Sequence, residues 1–207
     1  MATVALLSNP KATGNRSQLP AVRDFCARHP DIFHYEVEEV GQIARALATI
    51  ARVRPRVLVI NGGDGTVRDV LTMGQAVFAD RWPAIAVLPK GKTNALNVDI
   101  GAPADWSLEG AIEAYTTGHR LVRRPLAVSR VGNEDPAMLG FIFGAGAFTL
   151  GIETGQDAHS LGFFNSLAVG ATSAWGVIQL SATSGQPSGP GGCMKCWPMR
   201  RIGRSIQ

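Results

Sequence analysis

The sequence predicts an α/β fold in which a mostly parallel sheet carries helices on both faces, followed by a β-rich unit. Three observations predict it. Apolar runs of strand length alternate with helical periods about four times through the N-terminal part of the chain. The run Val57-Leu58-Val59-Ile60 is continuously apolar, as in a strand covered on both faces. After Arg123-Arg124-Pro125 the helical periods give way to a hairpin pattern.

Taken in order, Val4 to Leu7 is a short buried strand, and Ser8-Asn9-Pro10-Lys11-Ala12-Thr13-Gly14 is the loop after it. Leu19, Val22, Phe25 and Cys26 recur at helical spacing until Pro30 stops them. Ile32 to Val37 reads as the next strand. Gly41 opens a helical segment with Ile43, Leu47 and Ile50, which Pro55 parts from the strand Val57 to Ile60, expected to be central. A glycine turn and a helix with Val67, Val70 and Leu71 follow, then a fourth strand, Ala84 to Leu88, and a second glycine turn opening a helix. Leu108, Ile112 and Tyr115 mark a further helix, with Ser107 as N-cap and Gly118 just past its end. Leu126 to Val131, the turn Gly132-Asn133-Glu134-Asp135-Pro136, and Met138 to Phe143 form the expected hairpin. Residues 181–207 have no period and are dense in Gly, Pro and Ser, which reads as a disordered tail.

Composition limits the function classes. The 207 residues are 45% hydrophobic and 17% charged, too apolar for a disordered chain. The net charge of +4 comes with no basic run interleaved with aromatics, so nucleic acid is not an expected partner. Cys26, Cys193 and Cys196 make no disulfide framework, and Cys193-Met-Lys-Cys196 lacks the second ligand pair that a structural zinc site needs. The start MATVALLSNP reads as a strand rather than a secretion signal, so a cytoplasmic protein is expected. Leu161 to Leu180 has the length of a membrane span and no charge. Gly162, Asn165, Ser166, Gly170 and Gln179 make it too polar to insert, and it reads as a buried or membrane-apposed segment.

The chemistry concentrates in the loops after strands. Asn61-Gly62-Gly63-Asp64-Gly65-Thr66 joins an apolar strand to a helix, so its glycines let the backbone approach a phosphate while the helix start offers free N–H groups. Asp64 beside a phosphate is repulsive unless Mg²⁺ or a sugar hydroxyl lies between them; otherwise it is a capping residue in a left-handed turn. The second turn, Pro89-Lys90-Gly91-Lys92-Thr93-Asn94, is not a Walker A motif, because Ala86 stands where that motif has its first glycine. Lys90 and Lys92 can still reach phosphate oxygens, with Thr93 or Asn94 capping the helix.

The NGGDGT element after an apolar strand, a later Pro-x-Gly-x-x-Asn turn and an N-terminal strand ending in Asn-Pro together resemble the diacylglycerol kinase catalytic domain family, which includes bacterial lipid kinases and sphingosine kinases. The resemblance covers residues 1 to about 150. It implies an NAD kinase/diacylglycerol kinase-like α/β nucleotide-binding domain, here 1–124, and a β-sandwich domain for the lipid substrate, here incomplete over 125–180. It also implies ATP and Mg²⁺ as cofactors, a lipid hydroxyl such as that of diacylglycerol as phosphate acceptor, peripheral association with a membrane surface, and possible homodimers. By this resemblance Asn9, Pro10, Lys11, Ala12 and Thr13 line the nucleotide site, and Gly62, Gly63, Asp64, Gly65 and Thr66 hold its phosphates. Lys92 and Asn94 complete it, with Asp64 as the catalytic and metal-binding residue. Lys92 stands where the family has threonine and Ala95 where it has aspartate, and no Asp or Glu follows Asp157 where the family carries a late acidic element. An NAD kinase or phosphofructokinase-like kinase and a catalytically inactive nucleotide-binding fragment are the alternative readings.

Overall fold

β1 (Val4–Ser8), β2 (Ile32–Glu36), β3 (Val57–Gly62) and β4 (Ala84–Pro89) form one parallel sheet in the order β2-β1-β3-β4. This architecture comes from a computed structural model, which describes residues 4–103, 105–129, 132 and 137–142. β1 and β3 are the inner strands, and every residue of both is buried. That is why their sequences are continuous apolar runs rather than alternating ones.

Successive strand residues point to opposite faces, so the two inner strands build two cores at once. Ala5, Leu7, Leu58 and Ile60 pack with Ala46, Leu47 and Ile50 of α2 (Ile43–Val53) and with Val67, Val70 and Leu71 of α3 (Asp64–Phe78). Val4, Leu6, Val57 and Val59 face the other way, onto Cys26 of α1 (Asn15–Arg28) and Leu108 and Ala111 of α5 (Leu108–Thr116). Helices therefore cover both faces, as the sequence predicts. Ser107 caps α5 as expected, its Oγ accepting from the Gly110 N–H at 3.1 Å, and Gly118 beyond the helix end has φ +83.

Some boundaries shift. α3 begins at Asp64, ahead of the Val67, Val70 and Leu71 period that marks it in the sequence, because Gly63 is extended (φ −92, ψ 179) and already serves as its N-cap residue. Pro20 lies inside α1, where its lack of an N–H removes one bond of the helical ladder. The helix after the second glycine turn is only α4 (Ala95–Asp99), pinned under the sheet by the buried Asn97, whose Nδ2 donates to the Val87 carbonyl at 2.8 Å. β5 (Leu126–Val128) and β6 (Met138–Gly140) pair antiparallel as the expected hairpin. It docks on α3 through Gln75 Nε2 to the Ala137 carbonyl (2.8 Å) and the Leu139 N–H to Thr72 Oγ (3.0 Å). Residues 143–207 lie outside the described residues, and with them the expected sandwich remainder, the uncharged segment Leu161 to Leu180, the Cys193/Cys196 pair and the tail. Among the described residues no helix is long and apolar enough to cross a membrane.

Candidate functional site

The strand order decides where a ligand can sit. From β1 the chain passes through α1 to β2 on one side, whereas from β3 it passes through α3 to β4 on the other. The two connections diverge between neighbouring strands and open a crevice outside their carboxyl ends. A cavity of about 310 Å³ occupies it, lined by Asn9, Lys11, Ala12 and Thr13 after β1, by Gly63, Gly65, Thr66 and Asp69 of the β3–α3 junction, and by Gly91 after β4.

Buried amides hold this crevice open. Asn15, the first residue of α1 and 1% exposed, donates its Nδ2 to the Asn9 carbonyl (2.8 Å) and the Asn61 carbonyl (3.0 Å). The Asn9 N–H also donates to the Asn61 carbonyl, and Asn9 Nδ2 donates to Thr66 Oγ at 3.0 Å. Asn9 Oδ1 accepts from the Lys11 N–H at 2.9 Å, fixing the loop's turn. Below, the buried Ser8 Oγ accepts from Asn61 Nδ2 at 3.0 Å and lies 2.9 Å from His34 Nε2. Burial pushes the His34 imidazole below its ordinary value, so it is neutral near pH 7. The Oδ1 atoms of Asn15 and Asn61 are buried without a partner among the described residues.

Three of the four turn glycines are required by the protein's own packing. A β-carbon on Gly63 would lie 2.9 Å from the Gly91 Cα, and one on Gly62 would lie 2.8 Å from Thr66 Cβ. Gly65 differs: it is exposed and faces open space on the cavity side. Thus Gly63 and Gly91 let the two turns touch, Gly62 lets Thr66 fold back over its own turn, and Gly65 leaves room for a ligand.

Asp64 lies between the turns but off the cavity lining. One of its carboxylate oxygens accepts from the Ala95 N–H at 3.0 Å and the other from the Leu96 N–H at 3.1 Å, so it caps α4 across 31 residues of sequence. The expected cap by Thr93 or Asn94 is not formed, since Asn94 has φ 51 and its side chain closes the turn on the Gly91 N–H (2.7 Å) and carbonyl (3.1 Å). Lys92 is exposed on that turn, off the cavity lining, as are Pro10 and Asn94. Lys90 runs back along α1 to Gln18 Oε1, and burial lowers the pKa of its ammonium group.

Residues 3–124 match the family model of the diacylglycerol kinase catalytic domain. The chain belongs to the diacylglycerol kinase catalytic domain family. A relative described as a probable lipid kinase YegS-like, from Enterobacter sp. (strain 638), is 30% identical over 117 residues, covering 55% of this chain and 37% of its own. A solved diacylglycerol kinase from Bacillus anthracis str. Sterne matches at 25% identity and a TM-score of 0.46, over 60% of this chain and 44% of its own. A solution structure of a phosphate-loop protein matches at 15% identity and a TM-score of 0.39, over 58% of this chain and 97% of its own. The chain spans less than half the length of the two kinase relatives.

Within this diacylglycerol kinase-family domain the sequence reading missed two residues of the crevice. Asp69 shares the cavity face of α3 with Gly65 and Thr66, four residues after the first and three after the second, and that helical spacing could have found it. Asn15 gave no comparable signal, being one polar residue at a helix start. A larger hollow of about 1060 Å³ lies along β4, bordered by Ile85, Trp106, Tyr115 and Leu121. It has none of the glycine turns or convergent amides, so the smaller crevice is the candidate site.

Proposed function

We propose that the chain binds ATP with Mg²⁺ in the crevice and serves, as part of a lipid kinase, to transfer the γ-phosphate to a lipid hydroxyl such as that of diacylglycerol. The observation that carries this reading is the crevice itself. It sits at the switch point between β1 and β3, at the N-terminus of the 15-residue helix α3, in a member of the diacylglycerol kinase family. Free N–H groups and the positive end of the helix dipole favour anionic phosphate there, and Gly65 leaves the approach open.

The donor chemistry fits a hard divalent cation. Asp69 contributes a carboxylate and Thr66 a hydroxyl to the cavity, with no sulfur or imidazole among the described residues of its lining. Bound Mg²⁺ would neutralise charge on the transferring phosphoryl group, as such transfer requires. The chain's own residues would position: the Asn9 to Thr13 loop beside the nucleotide, the α3 N-terminus at its phosphates, Lys11 as an ammonium group on the lining and the exposed Lys92 as one on the neighbouring turn. Asp64 supports this arrangement by holding α4 against the phosphate turn. A lipid acceptor requires the working enzyme to meet a membrane surface, so peripheral membrane association belongs to the same reading.

Isothermal titration of the 207-residue chain with ATP, ADP and adenosine, with and without Mg²⁺, tests the nucleotide half. ATP should bind tightest, with Mg²⁺, and Lys92→Ala should weaken ATP and ADP more than adenosine. Absence of ATP binding at millimolar concentration would overturn the reading. Transfer of labelled phosphate to diacylglycerol vesicles tests the acceptor.

A further inference from the structure

We propose that Asp69, rather than Asp64, is the carboxylate that meets the divalent cation accompanying the nucleotide. The inference rests on the ATP reading above and concerns which acid faces its phosphates. Both Asp64 oxygens already accept main-chain N–H groups, from Ala95 and from Leu96, and Asp64 is off the cavity lining. Asp69 is on it, one helical turn beyond Gly65 and beside Thr66.

The bonding of Asp69 leaves it a free oxygen. Arg68 Nε (2.9 Å) and Nη2 (2.7 Å) both donate to Oδ1, so Oδ2 has no partner among the described residues. The Asp69 side chain is 15% exposed and that of Arg68 50%, which puts the carboxylate in the wall of the crevice and the guanidinium outside it. A carboxylate in the wall of a phosphate cavity repels a bare polyphosphate. A cation between the two reverses the sign, and Thr66 and Asn9, whose Oγ and Oδ1 each accept one hydrogen bond and keep a second lone pair, are the neighbouring oxygen-bearing residues on the same lining. The acid that imposes metal dependence is therefore the one on the lining, whereas the acid that caps α4 imposes stability.

The test compares ATP affinity with and without Mg²⁺, by isothermal titration, for the wild-type chain, Asp69→Asn, Asp69→Glu and Asp64→Asn, with melting temperatures alongside. In the wild type Mg²⁺ should tighten ATP by about tenfold or more, the size of one charge-assisted contact. In Asp69→Asn that ratio should collapse toward one, chiefly because metal-free ATP binds more tightly once the repulsion is gone, with the melting temperature unchanged. Asp69→Glu should restore the ratio, and Mn²⁺ binding to the ATP complex, read by electron paramagnetic resonance, should weaken in Asp69→Asn alone. Asp64→Asn should melt earlier and keep the ratio. A wild-type ratio in Asp69→Asn, or a lost ratio in Asp64→Asn at unchanged melting temperature, overturns the inference. A wild-type chain that binds no ATP under either condition overturns the nucleotide reading instead.

Discussion

Gly63 and Gly91 meet backbone to backbone, and a β-carbon on Gly91 would lie 2.7 Å from the Gly63 Cα. Each belongs to a different strand-to-helix turn, so this approach sets the spacing of the two turns that flank the crevice.

A methyl group at that junction must push main chain. Gly63→Ala should cost about 1 to 3 kcal/mol, the usual range for overpacking a tight site, and weaken ATP binding as the turns part. Gly65→Ala should separate the two effects. Its methyl meets nothing within 4 Å, and Ala in a helix gains up to about 1 kcal/mol over Gly. That variant should melt no lower than wild type yet bind ATP more weakly, because the methyl enters the phosphate approach. Urea denaturation and calorimetry on the pair check this.

Removing the α4 cap is the second test of how the turns are joined. Asp64→Ala leaves the Ala95 and Leu96 N–H groups without their acceptor and should cost about 0.5 to 2 kcal/mol, the range for a lost N-cap. Amide exchange should quicken at Ala95 to Asp99 before it does in β4. Unchanged exchange there would mean that the cap is idle.

These contacts explain what the sequence could and could not show. Leu7 and Ile60 announce buried strands, and Leu47 and Ile50 a helix, because period and burial are local properties of consecutive residues. The strand-glycine-helix turns were legible for the same reason. The Asp64 cap was not, since it joins residues far apart in the chain through a bond that leaves no periodic trace. The residue types around Asp64 point to a metal or sugar contact, with a cap on its own turn as the lesser alternative, and neither reading names α4 as the helix it caps. Asn15 was invisible because its value comes from two carbonyls, on β3 and on the loop after β1, that only the folded chain brings together.

His34 makes a pH prediction whose sign is fixed by burial. Its folded pKa lies below the ordinary 6.5, so the unfolded chain binds more protons between the two values and stability falls as pH drops through that window. Protonation puts a hydrogen on Nε2 facing Ser8 Oγ, which already accepts from Asn61 Nδ2, although Glu36 at 3.9 Å offsets part of the cost. The Glu36 carboxyl, held low by its bond to Arg23, titrates below about 4.5 and stays outside the comparison. Urea midpoints at pH 7.5 and 5.5 should differ less in His34→Gln than in wild type. An equal difference would show that His34 remains neutral throughout.

Asn15→Asp gives the sharpest test of the amide that spans the crevice floor. Asn15 donates to two carbonyl oxygens from a site 1% exposed. A carboxylate there would face both oxygens with no hydrogen to offer and would be buried without a counter-charge. The expected cost is about 3 kcal/mol or more, as for an unpaired buried charge. Asn15→Leu keeps the volume and loses only the donors, so it should cost less, about 1 to 3 kcal/mol. The pH dependence of the two separates charge from shape. An Asp at this position has its pKa raised above the ordinary value of about 3.9, so the folded state binds the extra proton and the deficit of Asn15→Asp should shrink as pH falls. A protonated acid can still donate to one of the two carbonyls, and at pH 4.5 the Asp variant should approach or pass the Leu variant. Parallel pH profiles for the two variants would mean that Asn15 serves by its volume and that its bonds to the Asn9 and Asn61 carbonyls contribute little to the crevice.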